Sequence, residues 1–200
     1  MTNPIHSLFA LFMLLALTTG CTTNIKPSTE TNPPPAEKFS AFNRFELLPV
    51  KAGSDVVANQ QAAMTKIQEN TQTILGSRLQ QLNAKPLSGQ PRTLLIEPTV
   101  TELKFVSGAK RFWSGAMAGS SAVVLKAKFT EKETGKLIAN PEFYSKASAL
   151  SGAYSFGGND NAMLRRIANW FAVYVLNNYK QPVGGPVIST DVDAASILTE

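Results

Sequence analysis

Ser121-Ala122-Val123-Val124-Leu125-Lys126-Ala127-Lys128-Phe129-Thr130 is the stretch from which the fold can be read. Ser121, Val123, Leu125, Ala127 and Phe129 share one parity, against Lys126, Lys128 and Thr130 on the other. A side-chain period of two is that of a strand, with one face buried and the other wet and basic. Glu131-Lys132-Glu133-Thr134-Gly135-Lys136 follows as a hairpin turn, with Gly135 available for positive φ. Leu137, Ala139, Phe143, Ala147 and Ala149 continue the alternation, interrupted by Pro141. Upstream, residues 93–106 form a second long strand with a flaw. Leu94, Ile96, Pro98 and Val100 share one parity, while Leu103 and Phe105 fall on the other. A strand cannot change faces without an extra residue, which predicts a bulge near Thr101-Glu102. Pro98 donates nothing to a ladder, which predicts an edge or an irregularity there.

Helical spacing brackets these strands. Val57, Met64, Ile67, Thr71, Ile74, Leu75, Leu79 and Leu82 recur at three- and four-residue intervals. They predict an amphipathic helix that begins after the N-cap oxygens of Ser54-Asp55 and ends before Asn83 and Pro86. Met163, Leu164, Ile167, Trp170, Phe171, Tyr174 and Val175 form the apolar face of a second helix, entered from Gly157-Gly158-Asn159-Asp160. A short strand at Phe45-Glu46-Leu47-Leu48-Pro49-Val50 comes first. The order β-α-β-β-β-α predicts an α/β two-layer sandwich: a mostly antiparallel four-stranded sheet with both helices on one face.

The chain has 200 residues, of which 44% are hydrophobic and 16% charged, with a net charge of +5. Its single histidine is His6 and its single cysteine is Cys21. A folded part lacking both residue types cannot build a Ser-His-Asp triad, a Cys-His nucleophile, a Cys/His zinc site or a disulfide. The reading therefore contains no catalytic residues, no metal ligands and no cofactor.

Leu8-Phe9-Ala10-Leu11-Phe12-Met13-Leu14-Leu15-Ala16-Leu17 is an unbroken apolar run. As a helix it would span about 15 Å, half a bilayer core, which suits a signal peptide and not a membrane span. Thr18-Thr19-Gly20-Cys21 follows, with small residues placed directly before the cysteine. This resembles the lipobox of bacterial lipoproteins, although Thr18 stands where leucine is usual. The resemblance implies cleavage after Gly20 and acylation of Cys21, palmitate included; the alternative is an ordinary secretory signal. Thr22, and not Asp, in the next position implies sorting to the periplasmic side of the outer membrane in a Gram-negative envelope. The expected organisation is then a signal peptide at 1–20, a lipidated cysteine and Pro-rich tether at 21–38, one globular domain at 39–180 and a flexible tail at 181–200. Within that tail, 194–198 is read as a short docking segment.

The most unusual connection runs between the two long strands and carries Lys110, Arg111, Phe112, Trp113, Gly115 and Gly119. Cations beside large aromatics favour a headgroup zone, and small residues admit a partner's backbone. Three readings stand: a partner or self-association loop, a lipid-contacting loop, or a flap folded over the core. Gly115 and Gly119 have the spacing of a membrane helix-packing motif, but Lys110 and Arg111 break its apolar context. The cluster Ser151-Gly152-Ala153-Tyr154-Ser155-Phe156-Gly157-Gly158 lacks a phosphate-loop lysine and reads as a helix entry capped by Asn159 or Asp160. From Lys104 to Lys146 there are eight basic residues against three acidic ones. In an exported chain, anionic lipid or peptidoglycan suits that charge better than nucleic acid does.

Arg111-Phe112-Trp113-Ser114-Gly115, Ala118-Gly119, Thr134-Gly135 and Gly157-Gly158 with Asp160 give the chain the look of the uncharacterised proteobacterial lipoproteins grouped under domains of unknown function. That resemblance covers residues 42–178 and implies no chemistry. In element order the chain also resembles periplasmic lipoproteins that form rings in secretion complexes or activate cell-wall synthases. Three functions follow as expectations. The first is a non-catalytic binding or assembly module anchored in the outer membrane. The second is a structural envelope protein that binds peptidoglycan or anionic lipid through a basic sheet face. The third is a hydrolase using Glu97 and Glu102, which share a face only if the bulge lies between them.

Overall fold

The structure is a computed structural model and describes residues 25–87, 89–105, 120–147 and 158–188. Its strands are β1 (Thr31–Asn32), β2 (Arg44–Leu47), β3 (Lys51–Ala52), β4 (Thr93–Lys104), β5 (Ser121–Glu131), β6 (Leu137–Ala139), β7 (Glu142–Ala147) and β8 (Gly185–Pro186). Its helices are α1 (Asp55–Ala58), α2 (Gln61–Thr71), α3 (Ser77–Asn83) and α4 (Gly158–Lys180). The fold is the expected α/β sandwich. In the main sheet β4 and β5 are central, with β2 and β3 beside β4, and β6 and β7 beside β5. All pairings of β5 are antiparallel, while β2 and β3 run parallel to β4.

The six strands are the four expected ones, with the two outer strands broken at their prolines. Pro49 lies in the gap between β2 and β3, and Pro141 in the gap between β6 and β7. Pro98 stands on the line joining these gaps, opposite Ala127. The Ala127 N–H donates to Pro141 O at 3.0 Å and so points away from β4. Ala127 and Pro98 are therefore a non-hydrogen-bonded pair, and the missing donor of Pro98 faces the break between β2 and β3. A proline thus sits in a central strand at no cost in ladder bonds, and the expectation of an edge is replaced by an irregularity on the neighbouring strand. The bulge also falls where expected: the register shifts between Val100 and Glu102, returning Leu103 to the core face.

The first helix is not one continuous element. Ser54 caps α1, accepting from the Val57 N–H at 3.4 Å, and the chain bends at Asn59-Gln60 before α2. Residues 61–83 are then helical throughout, through a π turn at Gln72–Gly76. Ile67, Thr71, Leu75 and Leu79 are all buried at a strict spacing of four, which overshoots the 3.6-residue turn. The wider π turn absorbs the surplus and keeps the stripe on the sheet. In α4 the predicted face, Met163 to Val175, is buried as read. Between helices and sheet, Phe39 stacks on Phe129 at 5.0 Å, and Phe171 meets Phe129 edge-on at 6.1 Å. Phe143 contacts Phe171 and Tyr174 at 5.4 and 5.7 Å.

The sequence reading of 21–38 as a tether and 181–200 as a loose tail is corrected over the described parts. Residues 25–38 form a strap against the domain, and residues 181–188 meet it. β1 and β8 pair antiparallel. Val187 N–H donates to Glu30 O, and Tyr144 N–H to Val187 O, so strap and tail cover the outer edge of β7. Ile25 and Val187 join Ala122, Val124 and Tyr144 in a small apolar cluster on the sheet face away from the helices. That face is wet and basic around Lys126 and Lys128 and at Lys146 but covered where this cluster packs, which narrows the expectation. Proline-rich sequence does not bury a face through periodicity, yet single side chains and backbone groups suffice here. Residues 189–200, including the segment at 194–198, lie outside the described residues.

Candidate functional site

Cys21 and the contact-loop residues Lys110, Arg111, Phe112, Trp113, Gly115 and Gly119 lie outside the described residues, as does the glycine cluster up to Gly157. What can be placed are the points where the chain leaves and returns. Phe105 follows the last residue of β4, and Ser120 precedes the first of β5. Lys104 pairs with Ala122, and Ala122 with Lys146, so both points lie at the sheet end that carries the Ile25 cluster. The segment 106–119 and the chain leading back to Cys21 therefore attach at one end of the molecule.

The strap is locked against the start of β7 by a buried carboxylate. Glu142 accepts from the Ser28 N–H and the Ser28 hydroxyl, both at 2.6 Å, and pairs with Lys126 Nζ at 3.2 Å. Burial, the largest single influence, pushes its carboxyl up, but the hydrogen bonds from Ser28 and the ammonium of Lys126 together hold it below its ordinary value. The backbone of the same residue exchanges two 2.8 Å bonds with the Asn32 amide. Tyr144 donates its hydroxyl to Ile25 O at 3.2 Å, and Tyr174 to Pro33 O at 3.3 Å. Burial pushes the Tyr174 hydroxyl up to about 12, so both phenols remain donors at neutral pH.

The tail is held by Asn178, whose side chain is fully buried. Its amide donates to Tyr174 O at 2.9 Å and Gly184 O at 3.0 Å, and accepts from the N–H groups of Val183 and Gly184 at 2.8 Å each. At the hairpin end, Arg92 bonds Glu131 at 2.6 Å and Glu37 at 3.1 Å, and lies 4.7 Å over the Phe42 ring. Hydrogen bonds from Thr134 and Arg92 hold the Glu131 carboxyl below its usual range. These contacts fasten the strap at both ends of the sheet.

The bulge does bring Glu97 and Glu102 onto one face, but not into one site. Glu97 lies between Lys51 and Lys128, 3.8 Å from each, and Glu102 is exposed. A cavity of about 520 Å³ opens beside Phe105, between α2 and the start of α4; Gln60, Gln61, Lys66 and Leu164 help to line it. Its lining offers amides, one ammonium and apolar carbon. Among the described residues no group of three or more Asp, Glu, His or Cys could hold a metal ion, and no helix is long and apolar enough to cross a membrane.

Sequence reasoning passed over Ile25, Ser28, Asn32, Asn178, Gly184 and Val187. One signal was available: Asn178 stands four residues after Tyr174 on the apolar face of α4, where an amide must find backbone partners.

These features define an α/β two-layer sandwich whose outer face is partly closed by its own terminal segments. The chain belongs to the DUF4410 family, a domain of unknown function whose family profile matches residues 27–152. That match includes most of the strap. No curated protein matches the chain significantly. Among solved structures, the chain is similar to a PelC dodecamer from Paraburkholderia phytofirmans, at 8% identity over 76% of this chain and 95% of that one, with a TM-score of 0.43. It is also similar to a candidate lipoprotein from Caulobacter crescentus, at 9% identity over 70% and 91%, with a TM-score of 0.37. Lipoprotein GNA1162 from Neisseria meningitidis is 14% identical over 65% and 96%, with a TM-score of 0.27. At TM-scores below 0.5, none of these likenesses carries a function to this chain.

Proposed function

We propose that this chain is a lipoprotein acylated at Cys21, held on the periplasmic side of a Gram-negative outer membrane, and that its domain works by contact and not by catalysis. One observation carries the reading. Ile25 is packed into the fold four residues after the only cysteine, which follows a signal-like apolar run and small residues. An acylated Cys21 would thus anchor the folded domain almost directly. Several acyl chains, at about 0.8 kcal/mol per buried methylene, make such an anchor firm.

Contact in place of catalysis is supported by the carboxylates. Glu97 is paired with two lysines, and the buried Glu142 is occupied in holding the strap. The segment with Lys110, Arg111, Phe112 and Trp113 is the proposed partner contact, because its attachment points share the sheet end nearest the anchor. The test is metabolic labelling with an alkyne-bearing palmitate analogue, followed by membrane fractionation. Label is expected in the membrane fraction and lost in Cys21→Ala; label that survives Cys21→Ala refutes the anchor. A photocrosslinker at Trp113 should capture a defined envelope protein or a second copy of the chain. Capture of neither in intact cells refutes the partner contact.

A further inference from the structure

We infer that the cavity beside Phe105 binds an uncharged, N-acetylated sugar unit of a glycan strand. This goes beyond the reading above and depends on neither the acylation of Cys21 nor the contact at Trp113. The cavity lies where β4 ends and where α2 and α4 begin. Its volume of about 520 Å³ falls within the range of small-ligand sites, about 300–1,000 Å³. Gln60 fixes its frame: the side-chain Nε2 donates to Leu103 O at 2.7 Å and ties the start of α2 to the end of β4.

The lining selects the ligand. Its described residues include no carboxylate, and its one cation, Lys66, is paired with Glu69 at 3.0 Å, so a charged ligand gains little there. Elsewhere in the fold, side-chain amides close on backbone: Asn32 on Glu142, Asn83 on Phe45, Asn178 on Gly184 and Gln68 on Val50. At the cavity, Asn59, Gln61 and Asn161 hold no such bond among the described residues. Three uncommitted amides and the Gln60 side-chain oxygen offer donors and acceptors side by side, as hydroxyls and an acetamido group require. Apolar carbon completes the match: Ala63 and Leu164 contribute buried surface, and Phe105 is 37% exposed. A sugar ring sets C–H groups against the negative face of an aromatic ring and carries its hydroxyls at the rim, so it uses both halves of the lining. An acyl chain would use the carbon alone and strip water from the amides without replacing it. The lysines of the sheet face are a poorer glycan site, since Lys51 and Lys128 flank Glu97 and Lys126 pairs with Glu142.

The test is an NMR titration of the isotope-labelled chain from Cys21 to Glu200, which contains every described residue, with N,N′-diacetylchitobiose. The side-chain amide signals of Asn59, Gln61 and Asn161 should shift together and saturate, with a Kd on the order of 1 mM or below. High salt should leave the affinity unchanged, because no ionic contact is involved. Phe105→Ala and Gln61→Ala should each weaken binding about fivefold or more, while Phe105→Tyr keeps it. Both positions are exposed, and unchanged backbone signals away from the cavity verify that the variants fold. Chitotetraose should bind at least as tightly as the disaccharide; a cavity that takes the disaccharide and refuses the longer chain is a free-sugar site and overturns the assignment to a strand. The absence of any saturable shift by about 10 mM overturns the inference outright. So do shifts that centre on Lys126 and Lys128 and vanish in high salt, equal affinity for maltose, and shifts produced by a fatty acid or an alanine peptide but by no sugar.

Discussion

Gly184 and Gly135 share one backbone conformation, with φ of +73° and +72°, and differ in what surrounds them. Alanine at either position costs about 1 kcal/mol for the left-handed backbone. At Gly135 a Cβ would meet nothing within 4 Å. At Gly184 it would fall on the Asn32 carbonyl oxygen and lie 2.9 Å from Pro34 N and 3.0 Å from Pro33 C. Those are backbone atoms of the strap, so no rotamer change relieves them, and strap and tail must separate. Separation breaks the β1–β8 pairing and strains the two bonds that Asn178 accepts from Val183 and Gly184. At about 1 kcal/mol for each lost bond, with some burial of Val187 forfeited, Gly184→Ala should cost about 3–4 kcal/mol more than Gly135→Ala. For a domain of this size that is a Tm difference of about 6–16 °C. Circular dichroism melts of the two variants measure it, and amide exchange at Tyr144 and Val187 shows whether the loss is local. Equal melting of the two variants would mean that the strap is not packed on the tail in solution.

Asn178→Ala removes four hydrogen bonds and leaves the buried Gly184 N–H and the part-buried Val183 N–H unmet, so urea denaturation should show a loss of about 2–4 kcal/mol. The carboxyls of Glu142, Glu37, Glu131 and Glu133 are all held below their ordinary value of 4.5 in the fold. The unfolded chain therefore takes up these protons first as pH falls. Their stabilisation is complete above about pH 5 and is lost as pH drops through the lower folded values. Thermal melts from pH 7 to pH 3 should fall on the acid side. Glu142→Gln should lie below wild type at pH 7 and fall less steeply; parallel pH profiles would show that Glu142 does not carry its share. Phe129→Ala opens the centre of the aromatic cluster and should cost about 3–5 kcal/mol by the same denaturation measurement.

Where side chains repeat, the sequence was readable. The apolar face of α4, the alternation in β5, the bulge after Val100 and the two proline interruptions all follow from periods and their breaks. Glu97 and Glu102 were correctly tied to the bulge, although sharing a face brought them no common site. The parallel pairing of β2 and β3 with β4 was not part of the expected, mostly antiparallel sheet, and it follows from the helical crossover that returns the chain to a neighbouring strand. The strap was not readable, because Ile25, Asn32 and Val187 bury themselves singly and leave no period. Nor was the role of Glu142, whose partners on the strap, Ser28 and Asn32, lie more than a hundred residues away. Of the candidate contact residues, only the attachment points at Phe105 and Ser120 are placed, and they gain meaning from a strap that sequence patterns do not reveal.

Intact-mass spectrometry of the protein recovered from cell membranes tests the anchored, strap-held arrangement most directly. A chain that starts at Cys21 and carries the added mass of a diacylglyceryl group and a further acyl chain is expected. A chain that still holds residues 1–20 with an unmodified Cys21, recovered from the soluble fraction, would contradict it.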